Sequence, residues 1–371
     1  MSDEVRSLLR NMITLPSALA EYTNIWLTTP EAVVGATPKE VVWTYRKTTL
    51  YRYRSSRRSH AVPILLTFAL INRPDIFDLR PGNSFIEFLL EEGFDVFLVD
   101  WGYPDEEDAD TGLDDYVLEH LPRAIRKVLR TSGAEEITLV GWCIGAALTG
   151  MYLGVTPDAP VRNWVPLTMP FDASNTTYQT LLDNDEMDVE WLAQRTGYLP
   201  GAHVDTVNKL LKPVPNFVGT PLRLFREVQD GTADKIAYQS MSKWVADNPN
   251  FPMRAFRQWV TWIYQENRLA TGRLRLRGHR VDLSSIQQST LVVTASNDHI
   301  APRDGTVPLF DVLTTQDLEH LDGVGGHIGL MAGSRARRDI WPRIRDWLAP
   351  RSHERRPSST RSETPVTGRM A

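Results

Sequence analysis

The chain has 371 residues, 42% hydrophobic and 23% charged, a composition that suits one large α/β domain with an insertion or two smaller domains. Its formal net charge of -5 argues against general nucleic-acid binding, and its single cysteine excludes an internal disulfide and fits a reducing compartment. The N-terminus lacks an apolar signal core and no run approaches the roughly 20 apolar residues of a membrane span, so the expected location is cytoplasmic.

Residues 1–28 read as helical. Val5, Leu8, Leu9, Met12 and Ile13, then Leu19, Tyr22, Ile25 and Trp26, recur at helical spacing, with Pro16 dividing the two parts. This segment is either an arm for a partner or surface, or a helix packed on its own domain. Residues 38–54 alternate (Val41, Trp43, Tyr45, then Leu50, Tyr51, Tyr53) and predict an opening hairpin, after which Arg54, Arg57 and Arg58 mark an exposed turn. Val62 to Phe68 is almost wholly apolar, as expected of a parallel strand covered on both faces, and leads into Ala69-Leu70-Ile71-Asn72-Arg73-Pro74. Ser84 to Glu92 reads as a helix stopped by Gly93. Asp95 to Asp100 is a second buried strand, followed by Trp101-Gly102-Tyr103-Pro104. Leu113 to Leu129 is a helix with an acidic start (Asp114, Asp115) and a basic end (Arg126, Lys127, Arg130) that matches its dipole, and Pro122 is a point where it can split.

The stretch from Ile137 to Tyr152 carries the chemistry. An apolar run, Ile137 to Val140, enters Gly141-Trp142-Cys143-Ile144-Gly145, and a small-residue helical run leaves it. This is the strand–turn–helix setting of a nucleophile elbow, with cysteine where serine is commoner. Its glycines let strand and helix approach closely around a strained turn, and the positive end of the helix dipole favours a thiolate. A lone cysteine in arbitrary context is a buried structural thiol. Here two downstream elements argue for the nucleophile instead.

Asn163 to Thr168 is a further strand, after which the alternation fails. Residues 172–280 are rich in Trp, Tyr, Phe and Pro with short helical patterns, and are read as a cap inserted over the site. Their aromatics either line an apolar substrate tunnel or form the cap's own core. Arg268, Arg273, Arg275, Arg277 and Arg280 alternate with apolar residues, as on the wet face of a hairpin or at a cap edge able to attract a phosphorylated cofactor. The sheet resumes at Leu291 to Ala295 and ends in Asn297-Asp298-His299, and another strand, Asp317 to Leu321, precedes Gly323-Val324-Gly325-Gly326-His327-Ile328-Gly329. Nucleophile, acid, histidine is the chain order of α/β-hydrolases, so Cys143, Asp298 and His327 are read as a triad.

The expected fold is an α/β-hydrolase with a mostly parallel, doubly wound sheet and an inserted cap subdomain. Residues 1–36 form a helical arm, 37–171 and 281–349 the catalytic core, 172–280 the cap and 350–371 a disordered tail, rich in Ser, Arg, Pro and Thr. Ser334 to Leu348 supplies a last helix with Ile340, Trp341, Ile344, Trp347 and Leu348 inward. In this fold the oxyanion hole is made by the amide after the nucleophile, Ile144, and one from the loop after the first buried strand, Ile71 or Asn72. The other histidines, including His60, His203, His279 and His353, are read as surface or packing residues. The sequence holds no internal repeat and no metal-ligand spacing, so no metal is assigned, and cofactor-binding residues are unassigned.

From residue 37 to 348 the chain resembles the polyhydroxyalkanoate synthases, and its length is similar to the class III and class IV catalytic subunits. The resemblance is carried by Thr37-Pro38-Lys39-Glu40-Val41-Val42, by Ile71-Asn72-Arg73-Pro74 with Phe77-Asp78-Leu79, and by Asp100-Trp101-Gly102-Tyr103-Pro104 with Leu113-Asp114-Asp115-Tyr116. The Gly-Trp-Cys-Ile-Gly elbow, Asn297-Asp298-His299-Ile300 and Gly325-Gly326-His327-Ile328-Gly329 complete it. One position departs. The family's elbow usually runs on into a second glycine, and here it is Ala146, whose methyl either crowds the elbow or is absorbed by repacking.

The resemblance implies polymerisation of 3-hydroxyacyl-CoA, such as 3-hydroxybutyryl-CoA, through an acyl-Cys143 thioester with release of coenzyme A, which is a substrate component and not a cofactor. His327 then serves as base, and Asp298 either orients it or acts on the hydroxyl of the incoming group. It also implies a growing polyester chain, a second smaller synthase subunit or a homodimer, and a place at the polyhydroxyalkanoate granule surface. The alternatives are a cysteine-dependent hydrolase or acyltransferase of thioesterase type, and a non-catalytic granule-associated scaffold.

Overall fold

The computed structural model describes residues 16–174, 176, 197–203 and 220–353. Leu8, Leu9, Met12 and Ile13 of the arm, part of the insertion and residues 354–371 lie outside the described residues. Eight strands form one sheet: β1 (Glu40–Tyr45), β2 (Thr48–Tyr53), β3 (Ile64–Thr67), β4 (Val96–Asp100), β5 (Ile137–Trp142), β6 (Val161–Leu167), β7 (Ser289–Ala295) and β8 (Leu318–Gly323). Their spatial order is β1-β2-β4-β3-β5-β6-β7-β8. β1–β2 and β2–β4 pair antiparallel; every later pair is parallel. The three apolar runs behave as both-faced burial requires, since every residue of β3, β4 and β5 is buried. β3 and β5 are neighbours although β4 lies between them in sequence, and the connections from β3 and β5 run to opposite sides of that boundary. The carboxyl ends there open the crevice in which such sheets hold their ligands.

Helices cover the sheet. α1 (Phe85–Glu91) starts at Ser84, whose hydroxyl accepts the Glu87 amide at 3.0 Å, and stops before Gly93 at φ 88°. The helix expected over Leu113–Leu129 runs unbroken from Leu113 to Ser132, but it is not α-helical throughout. A short turn, Leu113–Asp115, passes through a π-helical turn, Tyr116–His120, into α2 (Leu121–Ser132). Pro122 directly follows that widened turn inside the helix, where its missing N–H leaves one main-chain bond unmade without breaking the helix. α3 (Ile144–Val155) is buried from Ile144 to Gly154 and runs through the middle of the molecule. The final helix is broken: Ala336–Asp339 ends at Ile340, and α7 (Trp341–Arg351) restarts with Pro342 in its first turn. α7 continues through Pro350, and the carbonyl of fully buried Ser352 accepts the Ala61 amide at 2.8 Å and the Val62 amide at 3.3 Å. Residues 350–353 thus belong to the folded body, which corrects the expected start of the tail.

Between β6 and β7 the described chain forms α4 (Thr220–Gln229), α5 (Lys235–Ala246) and α6 (Met253–Trp259), the last extended by a π-helical turn, Val260–Gln265. Trp244, Phe251, Trp259, Ile263 and Tyr264 join the same hydrophobic core as the sheet, so these aromatics are packing residues. In the hairpin that pairs Arg275–Leu276 with His279–Arg280, Leu274 and Leu276 are buried while Arg273, Arg275 and Arg280 are exposed. Arg277 turns back onto Asp114, Asp115 and Glu119.

The described part of the arm, a helix over residues 16–27, packs on the chain's own inserted helices. Ile25 is buried, Gln239 Nε2 of α5 donates to its carbonyl at 3.0 Å, and Lys243 Nζ donates to Pro30 O at 2.9 Å and Ala32 O at 2.6 Å. Leu19 and Leu27 stay exposed.

Candidate active site

The elbow forms because the sequence leaves room for it. Cys143 adopts φ 58°, ψ -126°, a left-handed φ held only where surrounding packing overdetermines it. Its N–H donates to Leu167 O at 3.0 Å, and its carbonyl accepts the Ala146 amide at 2.9 Å to start α3. A Cβ on Gly141 would stand 2.5 Å from Ala146 Cα, and one on Gly145 would stand 2.4 Å from Thr67 O and 2.6 Å from Phe68 O. Both positions exclude any larger residue, because the atoms met are main chain. Ala146 is itself fully buried with its methyl accommodated.

Asp298 lies in the turn after β7. Its Oδ1 accepts the amides of Ile300 at 2.8 Å and Ala301 at 2.9 Å, while Oδ2 accepts from His327 Nδ1 at 2.7 Å. The Asp298 side chain is 0% exposed, so both oxygens are fully occupied away from water. His327 comes from the glycine-rich loop after β8, where Gly325 at φ 150° lets the chain fold back and the Asn297 amide donates to Gly325 O at 2.9 Å. Burial works to lower the His327 pKa, but its interactions with Cys143 and Asp298, hydrogen bonds to both included, together push it up to about 10. The three sequence-predicted side chains are therefore brought together. Cys143 is 7% and His327 4% exposed.

The predicted oxyanion donors belong to the start of α3 and to the loop after β3. Ile144 is the first residue of α3, so its amide has no intrahelical acceptor. Ile71 and Asn72 lie in the loop after β3, Asn72 with φ 60°, and among the described residues their amides donate to no protein acceptor. What sequence reasoning missed is how this loop is held. Trp101 Nε1 donates to Phe68 O at 3.1 Å, Arg73 Nη1 to Asp100 Oδ1 at 2.6 Å, and Trp244 Nε1 of α5 to Arg73 O at 2.7 Å. Arg73, Asp100 and Trp101 stood inside the motifs, but no spacing rule links them to one another.

Among the described residues no group of three or more His, Cys, Asp or Glu side chains is arranged to hold a metal ion, and no helix is long and apolar enough to cross a membrane. A cavity of about 850 Å³, lined among others by Arg58, His60, Glu136, Arg162 and His353, lies where β3, β5 and β6 begin, at the opposite end of these strands from Cys143.

Comparison with known proteins follows the same lines. Residues 74–334 match the family model of the alpha/beta hydrolase fold. A structure from Sulfolobus solfataricus described as a candidate lipase superposes with a TM-score of 0.57 at 15% identity, covering 84% of this chain and 93% of that one, a likeness of fold alone. The poly(3-hydroxyalkanoate) polymerase subunit PhaC of Haloferax mediterranei is 35% identical over 343 residues, 92% of this chain and 69% of that protein. The subunit of the same name from Allochromatium vinosum is 32% identical over 85% of this chain and 90% of its own length. The chain belongs to the poly(3-hydroxyalkanoate) polymerase subunit PhaC family, built on the α/β-hydrolase fold.

Proposed function

We propose that this chain is the catalytic subunit of a polyhydroxyalkanoate synthase, an acyltransferase that polymerises short-chain 3-hydroxyacyl groups such as 3-hydroxybutyryl from their coenzyme A thioesters. The observation that carries the reading is the 2.7 Å bond between His327 Nδ1 and Asp298 Oδ2 beside a cysteine on a strained elbow, in a chain of this family.

In the first step His327 Nε2 takes the Cys143 proton, and the thiolate attacks the thioester carbonyl. The amides of Ile144 and of Ile71 or Asn72 hold the oxyanion of the tetrahedral intermediate. The carbon–sulfur bond to coenzyme A breaks, its sulfur leaves with the proton from His327, and an acyl-Cys143 thioester remains. In the second step His327 takes the proton of a 3-hydroxyl group, whose oxygen attacks an acyl thioester; the thioester carbon–sulfur bond breaks, the departing sulfur takes the proton back from His327, and the ester bond remains. Asp298 serves by orienting His327. What supports this choice over direct action on the hydroxyl is that both its oxygens are engaged and its side chain is fully buried.

The core, residues 37–171 and 281–353, works under the insertion 172–280 as a cap. The chain acts at the surface of the polyester granule in the cytoplasm, with a second smaller synthase subunit or as a homodimer. The test is incubation of the purified protein with 3-hydroxybutyryl-CoA. Insoluble polyester plus free coenzyme A is the expected result. Soluble 3-hydroxybutyrate plus coenzyme A would replace this reading with a thioesterase, and no turnover, alone or with its partner subunit, would leave a scaffold.

A further inference from the structure

We infer that Arg73 is a positioning residue for acyl transfer, one that fixes the loop presenting the Ile71 and Asn72 amides to the developing oxyanion. The inference rests on the acyl-cysteine reading above and adds to it the device that holds the oxyanion wall.

Loop 68–73 leaves β3 directly against the nucleophile elbow, since an added Cβ on Gly145 would touch Thr67 O and Phe68 O within 2.6 Å. Its conformation is not one that the loop's own sequence enforces, because Asn72 sits at φ 60° and the Ile71 and Asn72 amides donate to no protein acceptor among the described residues. Amides left free in this way serve an oxyanion only if the backbone around them is held from outside. Arg73 supplies the hold from the far end of the loop. Its guanidinium forms a two-point bridge to Asp100 at the end of β4, with Nη1 to Oδ1 at 2.6 Å and Nη2 to Oδ2, and its Nε lies 3.4 Å from Asp75 Oδ2. The Arg73 and Asp100 side chains are 12% and 5% exposed, and the guanidinium lies over the Tyr103 ring at 4.6 Å from its centroid. A planar fork engaged at two oxygens fixes direction as well as distance, which a lysine does not. Asp100 is fixed in turn, since its Oδ1 also accepts the Gly102 amide at 2.9 Å. The Arg73 carbonyl accepts the Trp244 indole N–H from α5 at 2.7 Å, so the insertion pins the same residue from above.

Arg73→Gln and Asp100→Asn are each expected to slow single-turnover release of coenzyme A about tenfold to hundredfold, the range a misplaced reacting geometry commands. Alkylation of Cys143 by iodoacetamide builds no oxyanion and should stay within about twofold of wild type. Arg73→Lys should regain only part of the rate. Trp244→Phe keeps the ring packing, removes only the indole N–H and should act in the same direction, which makes it the deciding variant if Arg73→Gln does not fold. Equal losses of acylation and alkylation would make the residue merely structural and overturn the inference, as would wild-type acylation in Arg73→Gln and Trp244→Phe. Failure of the acyl-cysteine reading is separately visible, as coenzyme A release by Cys143→Ala.

Discussion

Replacing Asp298 by asparagine tests the site at its most constrained point. The carboxylate uses Oδ1 to accept two backbone amides, at 2.8 and 2.9 Å, and Oδ2 to accept from His327 Nδ1 at 2.7 Å. The substituted amide keeps one acceptor and gains one donor. Turning its nitrogen toward the two backbone amides would leave two buried donors facing a donor, at about 1–3 kcal/mol each. The oxygen therefore stays on the backbone and the nitrogen faces His327. Nδ1 must then accept, the ring proton moves to Nε2, and Nε2 can no longer take the proton of Cys143. In a serine relay this wrong tautomer costs about 10⁴ in rate, or about 5.4 kcal/mol. A thiol gives up its proton more readily than a hydroxyl, so the expected loss is about 10²–10³ in the single-turnover burst of coenzyme A from 3-hydroxybutyryl-CoA. Rapid-quench measurement of that burst reads the acylation step alone. A burst within about threefold of wild type, followed by slow steady-state release, would refute the tautomer argument and move Asp298 to the hydroxyl step.

Cys143→Ala should release no coenzyme A, and Cys143→Ser at most a trace, because an alkoxide is far harder to generate than a thiolate; mass spectrometry of the quenched wild-type enzyme should find the acyl group on Cys143 and on no other residue. Gly145→Ala forces a methyl to within 2.4 Å of Thr67 O and 2.6 Å of Phe68 O, and should lower unfolding stability by about 1–3 kcal/mol or more, read from the denaturant midpoint; an unchanged midpoint would mean that β3 and α3 can part without cost. The His327 imidazole, raised from 6.5 to about 10, binds more protons folded than unfolded in that interval. Its stabilising effect is full below about pH 6.5 and is lost as pH rises through about 10, so denaturant midpoints should fall from pH 6.5 to about 9.5, and fall less in His327→Gln; parallel slopes in the two proteins would exclude His327 as the cause.

Sequence alone exposed the elements whose physics is local. The runs that became β3, β4 and β5 are apolar at nearly every position because both faces are covered, and the elbow announces itself because its glycines meet backbone at short range. Asp298 and His327 were legible because each follows a strand end at a loop with few alternatives. The clamp on the loop after β3 was not legible, because its bonds join residues 27 and 171 positions apart, Arg73 to Asp100 and Trp244 to Arg73. Hydrophobic periodicity also left the π-helical turn Tyr116–His120 unmarked, since the apolar residues on either side of one widened turn are too few to show a change of phase. The end of α7 was misjudged for a related reason. Polar composition from residue 350 onward suggested disorder, whereas the burial of Ser352 comes from main-chain bonds to Ala61 and Val62, which composition cannot encode.

Ala146 shows how such a departure is to be weighed. It stands where the polyhydroxyalkanoate synthases usually continue with a further glycine, and the concern raised by the sequence was a crowded elbow. The close approach at this point is between Gly141 and the Cα of Ala146, 2.5 Å from where a Gly141 side chain would begin. A glycine at 146 would present that same Cα. The steric demand of the turn therefore falls on Gly141, and on Gly145 against the end of β3, while the Ala146 methyl lies buried in the core. Alanine is also a better helix former than glycine by about 1 kcal/mol, so its methyl favours the first turn of the helix that follows Cys143.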